Sequence, residues 1–467
     1  MSILNSLPKT LLSWITTLDP SIHVWLVGGA VRDSFLDRTT VDFDFALTGN
    51  ALELARQAAD QLECDVFTLD HDRGAARVLL DATGPARRVL DFAALRGSSI
   101  EDDLRARDFS INAMAIDLRQ PERLIDPCQG LSDLHAGIIK VCSPGSLASD
   151  AIRALRAIRL ASDLEFKIDG DTQQLIREAV PHLDEISRER IRDELFRVLS
   201  VGEPGIPLRL MRHFEFDLTV FGTESSDLVA ERITMVGREL SRILAALSPN
   251  YDPETAGSAS LGLLAWQLGR YRSGLHNYLQ TELSPFRRCR ELAYLSMLEW
   301  LHQENTQVKA DDSRSDRPIS RNLRLSQAEL RWVGDYLAGM EQVKNLESTP
   351  LGVFRFFQAS GEAGVACGLA HLADIMAREG SGVQPAIWAE QVEKVRQLLE
   401  AWFDRRGMLI DPIPILNGDE LMQELGLSPG PVIGRILELL REQQVAGQIQ
   451  NRPQAVEAAR EIYRRLE

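Results

Sequence analysis

Cysteine, aromatic side chains and positive charge are all scarce in this 467-residue chain, and long apolar runs are missing. The five cysteines (Cys64, Cys128, Cys142, Cys289, Cys367) are scattered without a CxxC pair, and an odd count leaves at least one unpaired. That excludes a disulfide-built secreted scaffold and fits a reducing, cytoplasmic location. Aromatics amount to 6%, too few for an extended base-stacking platform. Lys and Arg total 52 against 68 Asp and Glu, a formal charge of −16, the wrong sign for a protein that coats nucleic acid indiscriminately. Any nucleic-acid contact must use a local basic patch. No stretch nears the roughly 18 consecutive apolar residues of a membrane helix. The opening MSILNSLPKTLLSWITTLDP has one Lys and no basic leader region, so it reads as a short helix and not as a signal sequence. The eight histidines show no zinc spacing. His71-Asp72 lies in a polar turn without a partnered His-Asp set, which argues against a metal phosphohydrolase. No fixed-period repeat indicates a solenoid.

What is present is an ordinary globular composition, 44% apolar and 26% charged, on a chain long enough for three or four modules. Up to about residue 140 short β runs alternate with helices. Val24 to Gly28, Val41 to Leu47, Ala76 to Leu80 and Val89 to Ala93 read as strands, Leu52 to Leu62 as an amphipathic helix, and Phe109 to Leu118 as a further apolar run. Beyond Ser149 the texture becomes helical almost throughout. The polar stretch Gln303 to Asn322 reads as an exposed loop, and the break at Gly407 to Asn417 introduces a last helical module.

The densest chemistry lies in LVGGAVRDSFLDRTTVDFDFAL, residues 26 to 47. Gly28 and Gly29 follow an apolar strand and precede a helix, a place where backbone N–H groups can approach a phosphate. Asp42 and Asp44 flank Phe43, so the period of a strand projects both carboxylates to one face. Two such anions repel unless a cation lies between them, which Mg²⁺ with phosphate ligands supplies. Asp91, on the strand of VLDFA, is either a third carboxylate of that site or a capping, solvated residue.

Gly-Gly, Arg32 and the Asp pair together resemble the head of class II tRNA nucleotidyltransferases and bacterial poly(A) polymerases, within the polymerase-β-like superfamily. EDDLRARDFSINAMA, residues 101 to 115, is similar to the family segment that lines the ribose and phosphate side of the pocket, which carries onto Arg107, Asp108 and Asn112. Family members often have two arginines there, where this chain has Ala106 and Arg107. SDAIRALRAIRLASDLEF, residues 149 to 166, sets Asp150, Arg153, Arg156 and Arg159 at intervals of three along a helix. The resemblance makes Asp150 and Arg153 the protein template that selects the base, with Arg156 and Arg159 contacting phosphate or bracing that template. Such a template is chemically sound. Cytosine and adenine both present an amino donor beside a ring-nitrogen acceptor, which one carboxylate and one guanidinium can read together, whereas uracil and guanine present the reverse.

Downstream, Ile186 to Leu199 resembles the family's neck helix. Near the end, Pro429, Gly430, Pro431 and Gly434 would open a helix with a bare N-terminus suited to one RNA phosphate. The resemblance implies an α+β fold. A nucleotidyltransferase head with a mixed sheet (1–140) is followed by an all-α neck (141–204), body (205–406) and tail (407–467). It implies Mg²⁺, CTP or ATP, and the tRNA 3′ end as partners. Arg32, Gly29 and Arg107 would steady the triphosphate, while Asp42 and Asp44 hold two Mg²⁺ ions. Complete CCA addition, partial addition and poly(A) synthesis share this scaffold, and a non-catalytic RNA-binding protein on a degenerate head is the rival of another class. Only Phe92 to Ile100 separates Asp91 from Glu101, where complete CCA-adding and A-adding members carry a flexible loop. That shortening points towards CC addition, with a separate enzyme adding A.

Overall fold

The structure, a computed structural model, describes residues 2–72, 74–80, 88–202, 205–221, 227–251, 258–284, 287–306 and 319–466. The chain forms two compact units, Met1–Glu194 and Leu195–Glu467.

The first unit is built on a seven-stranded mixed sheet. In chain order its elements are α1 (Lys9–Thr17), β1 (Val24–Val27), α2 (Gly29–Phe35), β2 (Asp42–Leu47), α3 (Ala51–Leu62), β3 (Asp65–Asp70), β4 (Ala75–Leu79), β5 (Val89–Ala94), α4 (Ile100–Arg105), β6 (Ala115–Asp117) and β7 (Gln120–Ile125). The strand order is β3-β4-β5-β2-β1-β6-β7. Only β2 and β5 run parallel; the other neighbours are antiparallel. The alternation in DFDFAL works as its period demands, burying Phe43 and Phe45 completely while Asp42 stays exposed on the other face. Phe45 stacks on Phe92 of β5 at 5.0 Å between ring centres, which helps fix the register of the two strands. Helix α3 starts at Asn50, whose side chain accepts from the Glu53 N–H, and buries Leu54, Ala55, Ala58 and Ala59.

Within this sheet, the two strands not expected from the sequence, β3 and β7, are its two edges. Edge strands meet solvent on more sides, so Gln120–Ile125 carries polar residues and a proline without a buried alternation. The run from Phe109 to Leu118 is not one strand. It opens with a 3₁₀ turn at Ser110–Asn112 and only then enters β6. Gly130 packs against that turn so closely that a Cβ there would meet the Ser110 carbonyl oxygen at 2.1 Å.

After the sheet come α5 (Gly130–Ala136), β8 (Ile138–Ile139), α6 (Gly145–Ser149), α7 (Ile152–Leu164), β9 (Lys167–Ile168), α8 (Gly170–Ala179) and α9 (Arg188–Leu199), the last containing the division between the units.

Among the described residues, the elements of the second unit are helices apart from one pair of short antiparallel strands. Of the expected loop at 303–322, Gln303–Thr306 instead ends the helix Cys289–Thr306 and Ile319–Asn322 forms a helical turn; 307–318 lie outside the described residues. Near the C-terminus, Leu421, Ile436, Leu440, Ala455 and Ala459 gather into one apolar cluster. Among the described residues no helix is long and apolar enough to cross a membrane.

Candidate active site

The sheet register places the chemistry. Asp44 of β2 lies directly opposite Asp91 of β5, and Asp42 is two residues earlier on the same face as Asp44. Three carboxylates thus share one face of the sheet. Burial pushes the Asp44 carboxyl up to about 6; Asp91 and Asp42 push the same way, and the Arg107 guanidinium opposes them. A carboxylate pair crowded this way, with one member partly withdrawn from water, fits a divalent cation that relieves the repulsion. Asp42 and Asp44 would hold it. Asp91 is differently placed, because Arg77 of β4 donates to both its oxygens, from Nε at 2.8 Å and Nη2 at 2.7 Å. Among the described residues no three His, Cys, Asp or Glu side chains converge closely enough to hold a metal together.

Gly28 ends β1 with φ +77°, a conformation that favours glycine. A Cβ there would lie 3.1 Å from Asp44 Oδ2 and 3.3 Å from Arg107 Nη1, so the missing side chain lets a carboxylate and a guanidinium both come close over the turn. Gly28→Ala is expected to cost about 1–3 kcal/mol of stability and at least tenfold in kcat/KM, read from denaturant melts and steady-state kinetics. Unchanged turnover would show that the two groups separate freely.

Arg107 is itself held by Asp103, a buried carboxylate one helical turn earlier that accepts from its Nε at 3.1 Å and forms an ion pair with its Nη2 at the same distance. Gly29 opens α2 beside Arg32. Arg32 is buried. Its Nε and Nη2 donate to Asp33 Oδ1 at 2.8 and 2.7 Å, and its Nη1 donates to Asn112 Oδ1 at 2.8 Å. Arg32 and Asn112 are therefore linked to each other across 80 residues of sequence. Asp108 is buried as a hub, accepting from the Phe109 N–H, from Asn112 Nδ2 at 3.4 Å and from Arg156 Nη1 at 2.8 Å. Burial opposes its charge, yet Arg156 and these donors hold its carboxyl below the usual range.

Asp150 is not on the helix of Arg153. It adopts an extended backbone (φ −159°, ψ 99°) between α6 and α7, and its carbonyl accepts from the Arg153 N–H at 3.1 Å. That break sets its side chain towards α9, where Arg190 donates to Oδ2 at 2.8 Å. The other oxygen, Oδ1, is buried without a hydrogen-bond partner. Arg153 donates from Nη1 to the Ser146 carbonyl and hydroxyl at 3.2 and 2.9 Å, and Ser146 Oγ in turn reaches the carbonyls of Arg107 and Asp108. Arg156 and Arg159 are engaged by the carboxylates of Asp108 and Glu194, the latter at 2.7 Å. Both arginines are thereby held along α7, the helix that also carries Arg153.

Arg77, Asp103, Ser146 and Arg190 were not singled out from the sequence. Asp103 and Arg107 form a legible i,i+4 pair, but the other three depend on pairings that only the tertiary fold creates. In the second unit, Gly430 is the N-cap of the helix Pro431–Val445 without a side-chain cap, and nothing lies within 4 Å of where a Cβ on Gly434 would stand.

Comparison with known proteins identifies the family. The family model of the poly A polymerase head domain matches residues 24–140, that of the RNA and SrmB-binding site of polymerase A residues 165–217, and that of tRNA nucleotidyltransferase domain 2 residues 313–459. A CC-adding tRNA nucleotidyltransferase of Geobacter sulfurreducens is 30% identical over 92% of this chain and 90% of its own. An A-adding tRNA nucleotidyltransferase of Deinococcus radiodurans is 28% identical over 91% and 92%. Among solved structures, a CCA-adding enzyme in complex with ATP covers all of this chain and 96% of its own with a TM-score of 0.64 at 22% identity. The Thermotoga maritima CCA-adding enzyme complexed with tRNA covers 98% of both chains with a TM-score of 0.59. Nucleotidyltransferases generally use divalent metal ions, which the Asp42 and Asp44 pair suits. With a relative of 30% identity spanning nine-tenths of both sequences, and the carboxylate-bearing sheet in the segment matched by the head domain, the chain belongs to the tRNA nucleotidyltransferase family.

Proposed function

We propose that this enzyme adds the two cytidines of the tRNA 3′ end from CTP, with Mg²⁺ as its cation, and leaves the final adenosine to a separate enzyme. One observation carries the restriction to cytidine. Between the end of β5 at Ala94 and the start of α4 at Ile100 only five residues connect the two elements. Those five are tied down along their length. The Arg96 N–H donates to Asp103 Oδ1 at 3.1 Å, Ser98 Oγ donates to Asp102 Oδ2 at 2.7 Å, and Ser99 caps α4 by accepting from the Asp102 N–H. Gly97 has φ +94°, and a Cβ on it would meet the Asp102 Cβ at 2.8 Å. By family resemblance this is the position of the flexible loop that reshapes the pocket for ATP. A pocket sized for a pyrimidine needs such a movement to admit a purine, because the Asp and Arg template does not measure ring size. Overall identity does not discriminate, since CC-adding and A-adding relatives lie within two percentage points of each other. The loop does. The test is to incubate tRNA lacking its 3′ end with CTP, with ATP and with both, and to sequence the products; the expected end is CC in both CTP-containing reactions.

Base choice falls to Asp150 and Arg153. The unpartnered, buried Oδ1 of Asp150 suits the cytosine amino group, and Arg153 retains donors beyond Nη1 for the ring nitrogen and carbonyl. Uracil would turn a carbonyl towards Oδ1 and leave the carboxylate unpaired. Asp150→Ala is expected to narrow the CTP over UTP preference in kcat/KM by at least about tenfold, the effect of one charge-assisted hydrogen bond. An equal loss for both nucleotides would make Asp150 a brace for Arg190 instead.

In the transfer step the tRNA 3′-hydroxyl attacks the α-phosphate and pyrophosphate leaves. Asp42 and Asp44 would hold the cation, which when bound activates the attacking oxygen and neutralises the leaving charge. Arg107, positioned by Asp103, supplies a fixed positive charge beside Asp44 for the triphosphate. Arg32 and Asn112, tied to one another, shape the turn at Gly28 and Gly29. Residues 1–140 act as head, 141–204 as neck, 205–406 as body and 407–467 as tail, where the open helix start at Gly430 and Gly434 suits one RNA phosphate.

A further inference from the structure

Arg77 stands at the centre of β4, directly opposite Asp91 of β5, which is directly opposite Asp44 of β2. Residues directly opposite one another project from the same face of a sheet. One row across three strands therefore reads Arg77, Asp91, Asp44. Within it the Arg77 fork occupies both oxygens of Asp91 at 2.8 and 2.7 Å, a two-point grip that fixes the plane of the carboxylate as well as its position. The pair is partly withdrawn from solvent, with side-chain exposures of 36% for Arg77 and 23% for Asp91. Among the described residues none gives Asp44 such a fork, although the same face brings it within one strand spacing of Asp91. The face holds three acidic groups, Asp42, Asp44 and Asp91, and Arg77 grips the last of them.

We propose that Arg77 is a positioning residue that withholds Asp91 from the metal, leaving Asp42 and Asp44 as the cation's protein ligands. This rests on the reading of Asp42 and Asp44 as the holders of the divalent cation. Arg77 then does two things at once. It neutralises the outer carboxylate of the row, which limits how tightly the resting enzyme grips a cation, and it keeps Asp91 from rotating onto the metal when a triphosphate arrives. A site that bound its cation with three carboxylates would hold it tightly without nucleotide. A site with two depends on phosphate oxygens to complete the shell.

The experiment is Mn²⁺ titration of the full-length protein, without nucleotide or tRNA, followed by the electron paramagnetic resonance signal of free Mn²⁺. Asp44→Asn is expected to weaken binding at least tenfold. Asp91→Asn should leave the affinity within twofold of the native protein. Arg77→Met, which frees Asp91 and removes a positive charge about two strand spacings from Asp44, should tighten binding at least about threefold. In the doubly substituted Arg77→Met, Asp91→Asn protein that gain should disappear. Loss of affinity in Asp91→Asn comparable to that in Asp44→Asn would overturn the proposal, since Asp91 would then be a ligand. Weaker binding by Arg77→Met would overturn it as well. Should Arg77→Met fail to fold, Asp91→Asn alone decides. Unchanged binding by Asp44→Asn would instead remove the cation assignment itself, and the inference with it.

Discussion

Asp44→Ala is expected to lower turnover at least ~10²-fold while the protein keeps its fold, the usual cost of losing one preorganised electrostatic stabiliser. The side chain contributes charge and not packing, because the buried face of β2 is carried by Phe43 and Phe45. Circular dichroism and the melting temperature of the variant separate the two effects. Near-normal turnover by both Asp42→Ala and Asp44→Ala would falsify the assignment of this pair. The raised Asp44 carboxyl adds a signature in pH. Its folded value of about 6 lies above the ordinary value of 3.8, so the native state holds a proton that the unfolded chain releases between those limits. Stability of the metal-free protein therefore falls as pH rises from about 4 to 6, and above 6 the full cost of the buried charge is present. Asp44→Asn removes that cost. In EDTA it should raise the melting temperature relative to the native protein at pH 8, and the advantage should vanish below about pH 4. Divalent cation binding should accordingly release a proton below pH 6.

The second large effect is an absence of product. Given tRNA already ending in CC, the enzyme is expected to incorporate adenosine from ATP at least ~10²-fold more slowly than it adds cytidine from CTP to a shorter end. The reason is mechanical. Five residues between β5 and α4 span at most about 18 Å even fully extended. They are also spent on the Arg96, Ser98 and Ser99 hydrogen bonds to the first turn of α4. A lever that moves must break those contacts together. Efficient formation of CCA from CTP and ATP would overturn the CC-only reading and leave nucleotidyl transfer to tRNA intact. Lengthening the connection with a Gly- and Ser-rich insert after Gly97 should not by itself confer A addition, because a lever needs groups that act on the pocket as well as slack.

Much of this protein was readable along the chain wherever the signal is local. The period of two in DFDFAL placed both carboxylates on one face. The Gly-Gly turn marked a strand followed by a helix, and helix-period patterning set most of the chain beyond Ser149 as helical. Departures came where an interaction between distant segments overrode local pattern. Asp150 shares helical spacing with Arg153, yet a break in the backbone turns it towards Arg190, forty residues on. Asp108 is gripped by Arg156, 48 residues on, a pairing that local pattern does not announce.

The sequence by itself determined the carboxylate pair, the glycine turn, the family and the shortness of the connection after Asp91, because each is written in residues that lie close together along the chain. Tertiary structure alone decided which charges meet. That Arg77 grips Asp91, that Asp103 ties both Arg107 and the Arg96 backbone, and that one oxygen of Asp150 is left buried and unpaired follow from strand register and helix placement. Spacing along a chain cannot encode them, since a shift of one residue in the pairing of β4 with β5 would turn Arg77 to the opposite face of the sheet.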